Sequence, residues 1–196
     1  MAAQSLQGGF SNPPHDAARA FRGVMNAMAR PGTITKLAGA QPPAPLSPAA
    51  GTVLLTLCDT DTPLHLAGAA DCDGVRAWLA FHTGAPLVGP DACMFALGRW
   101  EALLPLSSYP IGTPEYPDRS ATLIVECASM SEEGVILRGP GIPGTTALSL
   151  PDPETFRANH ALFPLGLDFL FTWEDRCAAL PRSTDICAPE SATEVL

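Results

Sequence analysis

Apolar residues recur along this chain in distinct rhythms, and each rhythm predicts a different element. In NPPHDAARAFRGVMNAMARPG (12–32), Phe21, Val24, Met25 and Met28 follow the i, i+3, i+4, i+7 spacing of one helix face. Asn12 or the prolines open that helix, Pro31-Gly32 stops it, and TITKL follows as a short strand. After the proline-rich connector AQPPAPLSP (40–48), Ser47-Pro48 opens a second helix through Val53, Leu54 and Leu57. DTDTP (59–63) ends it and LHLAG supplies a short strand. Asp73 is placed to cap a third helix with Val75, Trp78, Leu79 and His82 on one side and Gly84 closing it. ACMFALG (92–98) is a continuous apolar run and reads as a buried strand. Trp100 to Leu106 reads as a short helical turn that Pro105 limits.

The second half changes character. ATLIVEC (121–127), VILRG and TTALSL are three strands with short connections, which predicts an antiparallel meander. Asp152-Pro153 starts a helix to about Leu162, and LDFLFT (167–172) is a last strong strand. LPRST and a polar tail that frays complete the chain. Helical crossovers early and hairpins late predict an α/β fold. The expectation is a single three-layer domain over residues 1–196, core about 10–185, with one mixed sheet and flanking helices.

Composition agrees with a sizeable core: 46% of the 196 residues are hydrophobic and only 16% charged. The net charge of −9 argues against nucleic acid as a partner, which needs a basic footprint. Residues 1–40 are net +3, so the remainder is net −12, and a basic amino-terminal segment on an acidic body is either a contact surface or a solvated helix face. No secretory signal pattern and no run of 18 apolar residues is present, so the expectation is a soluble cytoplasmic protein without a membrane partner. The six cysteines are scattered without CxxC pairs, which suits buried free thiols better than metal ligation, a disulfide or a reactive thiol.

Much common chemistry is missing. Lys36 is the only lysine, so a P-loop is excluded and a pyridoxal Schiff base would need that one residue. GxSxG and HExxH are absent. His82 reads as a satisfied core histidine before a base, and His65 as structural before catalytic. GPGIPG (139–144) lies between strands, so it favours a hairpin turn over an anion cradle. Asp59 and Asp61 of DTDTP read as a turn closed by side-chain hydrogen bonds, with a cation site as the alternative. No catalytic, cofactor or metal residue is assigned.

GTPEYPDRSATLIVE (112–126) carries Glu115, Tyr116, Asp118 and Arg119 on a loop stiffened by Pro114 and Pro117. It suits a structural or interface role first, with Arg30 or Arg138 as charged partners. Binding of a phosphorylated ligand through Arg119 and Arg30 comes second, and acid–base catalysis third. With Arg182 of LPRST these residues complete the interface or ligand-binding candidates.

Six stretches, in order, resemble the H subunit (PhnH) family of the carbon–phosphorus lyase core complex. They are FRGVMNAMARPGT (21–33), LLTLCDTDTPL (54–64), GTPEYPDRSATLIVE (112–126), LRGPGI (137–142), FPLGLDFLF (163–171) and LPRST (180–184). MARPGT and GT.EYPDRSATL are the most specific. Cys58 departs from an aliphatic position, and the tail after Thr184 is short and acidic. The resemblance implies a role in organophosphonate catabolism. With the G, I and L subunits, the family is needed to form alpha-D-ribose 1-methylphosphonate 5-triphosphate from ATP and methylphosphonate. Nucleosidase-like chemistry is attributed to the I subunit, and C–P scission to a radical subunit with its own iron–sulfur cluster. It further implies a fold like the large domain of pyridoxal phosphate transferases without the cofactor, a homodimer in isolation, and G, I and J subunits as partners. The chain itself is then structural or accessory. The alternative is an independent α/β enzyme acting on a small phosphorylated or phosphonylated compound, with Glu115, Asp118, Arg119 and His65 around its site.

Overall fold

The computed structural model describes residues 7–187. Helix α1 (Pro13–Ala29) begins with two prolines in its first turn, where a missing N–H costs nothing. Asn12 makes no side-chain cap; instead the Asp16 carboxylate accepts the Asn12 N–H at 2.8 Å. The buried face is Ala20, Val24 and Ala27, which corrects the expected stripe: Phe21 is 48% and Met25 52% exposed. The physical reason is close approach. α1 lies so near the body that a Cβ on Gly23 would stand 3.0 Å from Leu37 Cδ1, so small residues face inward and the long ones are displaced to a flank.

Helix α2 (Pro48–Leu57) is capped by Ser47, whose Oγ accepts from Ala50 N at 3.1 Å, and its first half is wholly buried. Helix α3 (Asp73–His82) buries Val75, Trp78 and Leu79. Cys72, not Asp73, holds its N-cap position, without a side-chain cap bond. Asp73 is instead the first helical residue, where a negative charge still suits the helix dipole. Gly84 N returns to Leu79 O at 3.0 Å. His82 is half-buried, its ring 5.0 Å from Trp78 and its Nε2 3.3 Å from Gln7 O.

The strands are β1 (Thr35–Lys36), β2 (Leu64–Leu66), β3 (Phe95–Gly98), β4 (Thr122–Glu126), β5 (Val135–Arg138), β6 (Thr146–Leu148), β7 (Asp168–Trp173), β8 (Arg176–Leu180) and β9 (Asp185–Ile186). Helix α4 (Pro153–His160) lies between β6 and β7, with Asp152 as its cap. Six strands form one mixed sheet in the order β1-β8-β7-β4-β3-β2. β2, β3, β4 and β7 are parallel, while β8 and β1 are antiparallel additions.

The expected meander is corrected. β5 and β6 do pair antiparallel, but they join β9 in a separate three-stranded sheet, and β4 sits in the middle of the large one. Leu123, Ile124 and Val125 are buried on successive faces, so β4 needs cover on both sides, as a central parallel strand does. β5 instead buries Leu137 and exposes Ile136 and Arg138. Two strands were not anticipated. β8 follows a two-residue turn in which Glu174 takes φ 45, and β9 lies where a frayed tail was expected. The rest of that tail, from 188 on, lies outside the described residues.

The large sheet separates two cores. On one face Leu97, Ile124, Leu170 and Ala179 pack under α1, α2 and α3. On the other, Leu123, Val125, Phe169 and Phe171 meet Leu137, Leu148 and Ile186 of the small sheet and Phe156 of α4. Helices therefore cover one face, and the second face is covered mainly by a sheet. Among the described residues no helix is long and apolar enough to cross a membrane.

Candidate functional site

Parallel register sets up the first site. Thr122 of β4 pairs with Asp168 of β7, so both strands start at one edge of the sheet. β8 runs back antiparallel and delivers residues 181–184 to that same edge. An open hollow of about 510 Å³ lies there. Its lining comes from five segments distant in sequence: Met28 and Ala29; Pro117 and Asp118; Pro140 and Gly141; Phe163, Pro164 and Asp168; and Pro181, Arg182 and Ser183. Five of the six stretches that carry the family resemblance therefore converge on one surface, and only LLTLCDTDTPL stays away.

Arg182 organises this edge. Its guanidinium meets Asp168 at 2.5 and 3.2 Å, donates to Pro117 O at 2.8 Å and reaches Ser120 Oγ. Its main-chain N–H donates to Asp168 Oδ1 at 2.8 Å. Such a forked, charge-assisted arrangement uses the planarity of arginine. Asp168 is the residue of this edge that the sequence reading missed. Its signal was an acid at the head of the apolar run LDFLF, where a charge has no place unless paired.

The loop from 112 to 119 is pinned at its base by the Ile111–Ser120 bridge and by Ala121 N to Pro110 O at 2.8 Å. Thr113 and Tyr116 exchange main-chain hydrogen bonds at 3.1 Å. Glu115, Tyr116, Asp118 and Arg119 all project outward, exposed, and Arg119 lies over the Tyr116 ring at 4.1 Å. The expected ion pairs of Arg30 or Arg138 are corrected: among the described residues both are exposed and form no salt bridge. Both still stand at this edge, Arg30 beside Ala29 and Arg138 two residues before Pro140. GPGIPG connects β5 to β6 and packs against the end of α1, where a Cβ on Gly141 would lie 1.8 Å from Ala29 O.

The remaining candidates stand apart. Asp59 Oδ1 accepts from Asp61 N at 2.9 Å and from Thr62 Oγ1 at 2.7 Å, which closes the turn after α2 and holds the Asp59 carboxyl below its usual range. Asp61 is exposed. His65 Nδ1 lies 3.0 Å from Val88 O on β2, and the hollow lined by Asp118 does not include it. Lys36 is exposed on β1, paired with Asp175 at 3.1 Å. All six cysteines are free, and burial pushes the thiols of Cys58, Cys127 and Cys177 up to about 12.

A second cleft of about 510 Å³ opens at the opposite edge, outside the carboxyl ends of β3 and β4. A smaller hollow of about 190 Å³ adjoins it, and Arg99, Glu101 and Glu126 belong to both. Glu126 accepts from Ser47 N at 2.7 Å. Burial raises its carboxyl above the usual value, against the hydrogen bonds of Ser47 and Thr172 and the charge of Arg99. Sequence reading passed over Glu126 as the last residue of a strand.

Comparison with known proteins agrees with the motifs. The model of a family of bacterial phosphonate metabolism proteins (PhnH) matches residues 8–187. The chain is 41% identical over 197 residues to a Rhizobium meliloti protein named alpha-D-ribose 1-methylphosphonate 5-triphosphate synthase subunit PhnH, covering 95% of this chain and 98% of the relative. It is 30% identical over 177 residues to HtxG of Stutzerimonas stutzeri, whose name assigns it provisionally to C-P lyase, covering 85% of this chain and 84% of the relative. The chain belongs to the PhnH family.

Proposed function

We propose that this chain is a subunit of the carbon–phosphorus lyase core complex and serves organophosphonate catabolism by docking rather than by catalysis. In this reading it acts with the G, I and L subunits in forming alpha-D-ribose 1-methylphosphonate 5-triphosphate from ATP and methylphosphonate. Its neighbours are the G, I and J subunits; alone it is a homodimer; it works in the cytoplasm without a cofactor of its own. The fold reading that goes with this is the large domain of a pyridoxal phosphate transferase that has lost its cofactor.

One observation carries the proposal: five family-resembling stretches meet at one open surface whose composition suits a protein interface. Phe163, Tyr116 and Met28, with Arg119, Arg30 and Arg138, are of the residue types enriched in interface centres. Phe163 is 57% and Tyr116 51% exposed, which leaves apolar area uncovered in the isolated chain. The Asp168 carboxylate and the Arg182 guanidinium are committed to each other, which leaves Asp118 as the acid of the hollow without a salt bridge among the described residues.

The test is co-expression of the tagged chain with the G, I and J subunits, followed by the mass of the intact assembly. Wild type is retained and Phe163→Asp is released while remaining folded. Turnover of ATP with methylphosphonate by the chain alone, or an assembly indifferent to Phe163→Asp, overturns the proposal.

A further inference from the structure

We propose that the outward face of α1 seats an acidic amphipathic helix of a partner subunit, with Phe21 and Met25 packing on its apolar stripe and Arg19 and Arg22 meeting carboxylates beside that stripe. The inference rests on the docking reading and extends its surface. Phe21, Met25 and Met28 share one flank of α1 at i, i+4 and i+7, and Met28 and Ala29 already line the hollow.

The first argument is apolar exposure. The side of α1 toward the body is filled by Ala20, Val24 and Ala27, yet Phe21 is still 48% and Met25 52% exposed. A surface helix that meets only water carries polar residues opposite its buried stripe. Neighbouring exposed apolar side chains mark a contact site instead.

The second argument is shape. Ala18, Arg22, Met25 and Ala29 are all exposed and fall at i, i+4, i+7 and i+11. They form one row along three turns, roughly 16 Å long. Rows of this kind are the ridges against which a second helix packs. The alanines at its two ends leave room for close approach.

The third argument is charge. Arg19 and Arg22 are exposed and make no salt bridge among the described residues. Asp16, the acid of α1, is turned to the Asn12 N–H at 2.8 Å. The face is therefore cationic, and its complement is a row of carboxylates. A second copy of this chain fits poorly. Two-fold packing of α1 on itself sets the Arg22 row against the same row, with no acid of α1 between them. An anionic bilayer fits poorly too, because the chain behind the helix is acidic and the whole carries −9.

The experiment exploits Lys36, the only lysine of the chain. Lys36→Arg removes it, and Arg22→Lys in that background places the single side-chain amine on α1. This chain is co-expressed with the G, I and J subunits and treated with a zero-length carbodiimide, which joins an amine to a carboxylate in contact. Coupling is expected to an Asp or Glu of a partner subunit, in a segment whose apolar residues repeat at three and four. The charge-reversed pair Arg19→Glu and Arg22→Glu is expected to weaken assembly roughly tenfold or more and to leave the mass of the isolated chain unchanged. Both residues are exposed, so the fold tolerates these substitutions. Coupling to another copy of this chain, no coupling at all, or assembly as tight as wild type in the charge-reversed variant overturns the inference. So does binding of the isolated chain to phosphatidylserine vesicles that the charge reversal abolishes. Phe163→Asp is measured alongside: if it releases the chain while the charge-reversed variant assembles normally, the α1 inference fails and the docking reading stands.

Discussion

Arg182 grips Asp168 with both sides of its guanidinium, Nη2 to Oδ2 at 2.5 Å and Nε to Oδ1 at 3.2 Å, at the edge where β4 and β7 begin. The two side chains are only 13% and 17% exposed. Removing one partner strands the other charge largely out of water, which costs about 3–5 kcal/mol. Arg182→Met should therefore lower the melting temperature by roughly 6–20 °C, at about 2–4 °C per kcal/mol for a chain of this size. Arg182→Lys, which keeps the charge and loses the fork, should fall between the two. Thermal unfolding of the three proteins checks the order.

Phe163 and Tyr116 should behave in the opposite way. Both are largely exposed, so Phe163→Ala and Tyr116→Ala should leave stability within about 0.5 kcal/mol of wild type. Each should weaken assembly with partner subunits by more than about 1 kcal/mol if they anchor the interface. Denaturant melts and affinity measurements on the same preparations separate the two effects.

The GPGIPG turn allows a paired comparison. Gly141 and Gly144 both have positive φ, 79 and 81 degrees, so alanine carries similar backbone strain at each. Only at Gly141 does a Cβ collide with main chain, 1.8 Å from Ala29 O; at Gly144 nothing lies within 4 Å. Gly141→Ala should be clearly more destabilising than Gly144→Ala, because α1 must shift off the hairpin. Equal melting temperatures would mean that this contact is slack.

Glu126 predicts a pH dependence of definite sign. Its folded carboxyl lies above the ordinary value of 4.5 because burial opposes the charge. Below the ordinary value the group is protonated in both states and costs nothing. As pH rises through that value the unfolded chain releases the proton first, so stability falls until the folded carboxyl also ionises, and then levels. Glu126→Gln should remove that decline. Its stability relative to wild type should grow with rising pH across this window, as read by denaturant unfolding at a series of pH values.

The elements were largely legible where one physical signal dominated. TLIVE and DFLFT announced strands by continuous apolarity, and the proline and serine caps of α1 and α2 marked their starts. β8 was not legible because RCAAL has no β-branched residue and its turn uses Glu174, not glycine, at positive φ. The Phe21 and Met25 stripe misled because periodicity reports spacing, while close packing selected alanine and glycine for the inner face. At the site, Arg182, Asp118 and Arg119 were found through their loops. Asp168 and Glu126 were hidden as the end residues of strands, whose charge acquires meaning only when neighbouring strands bring partners beside it.

Hydrogen–deuterium exchange on the chain alone and in the complex tests the docking account most directly. Protection gained on assembly should concentrate in residues 113–119, 138–142, 160–165 and 181–184, the segments that meet at the Asp168–Arg182 edge. Protection confined to other surfaces, with those four segments exchanging as fast as in the free chain, would contradict it.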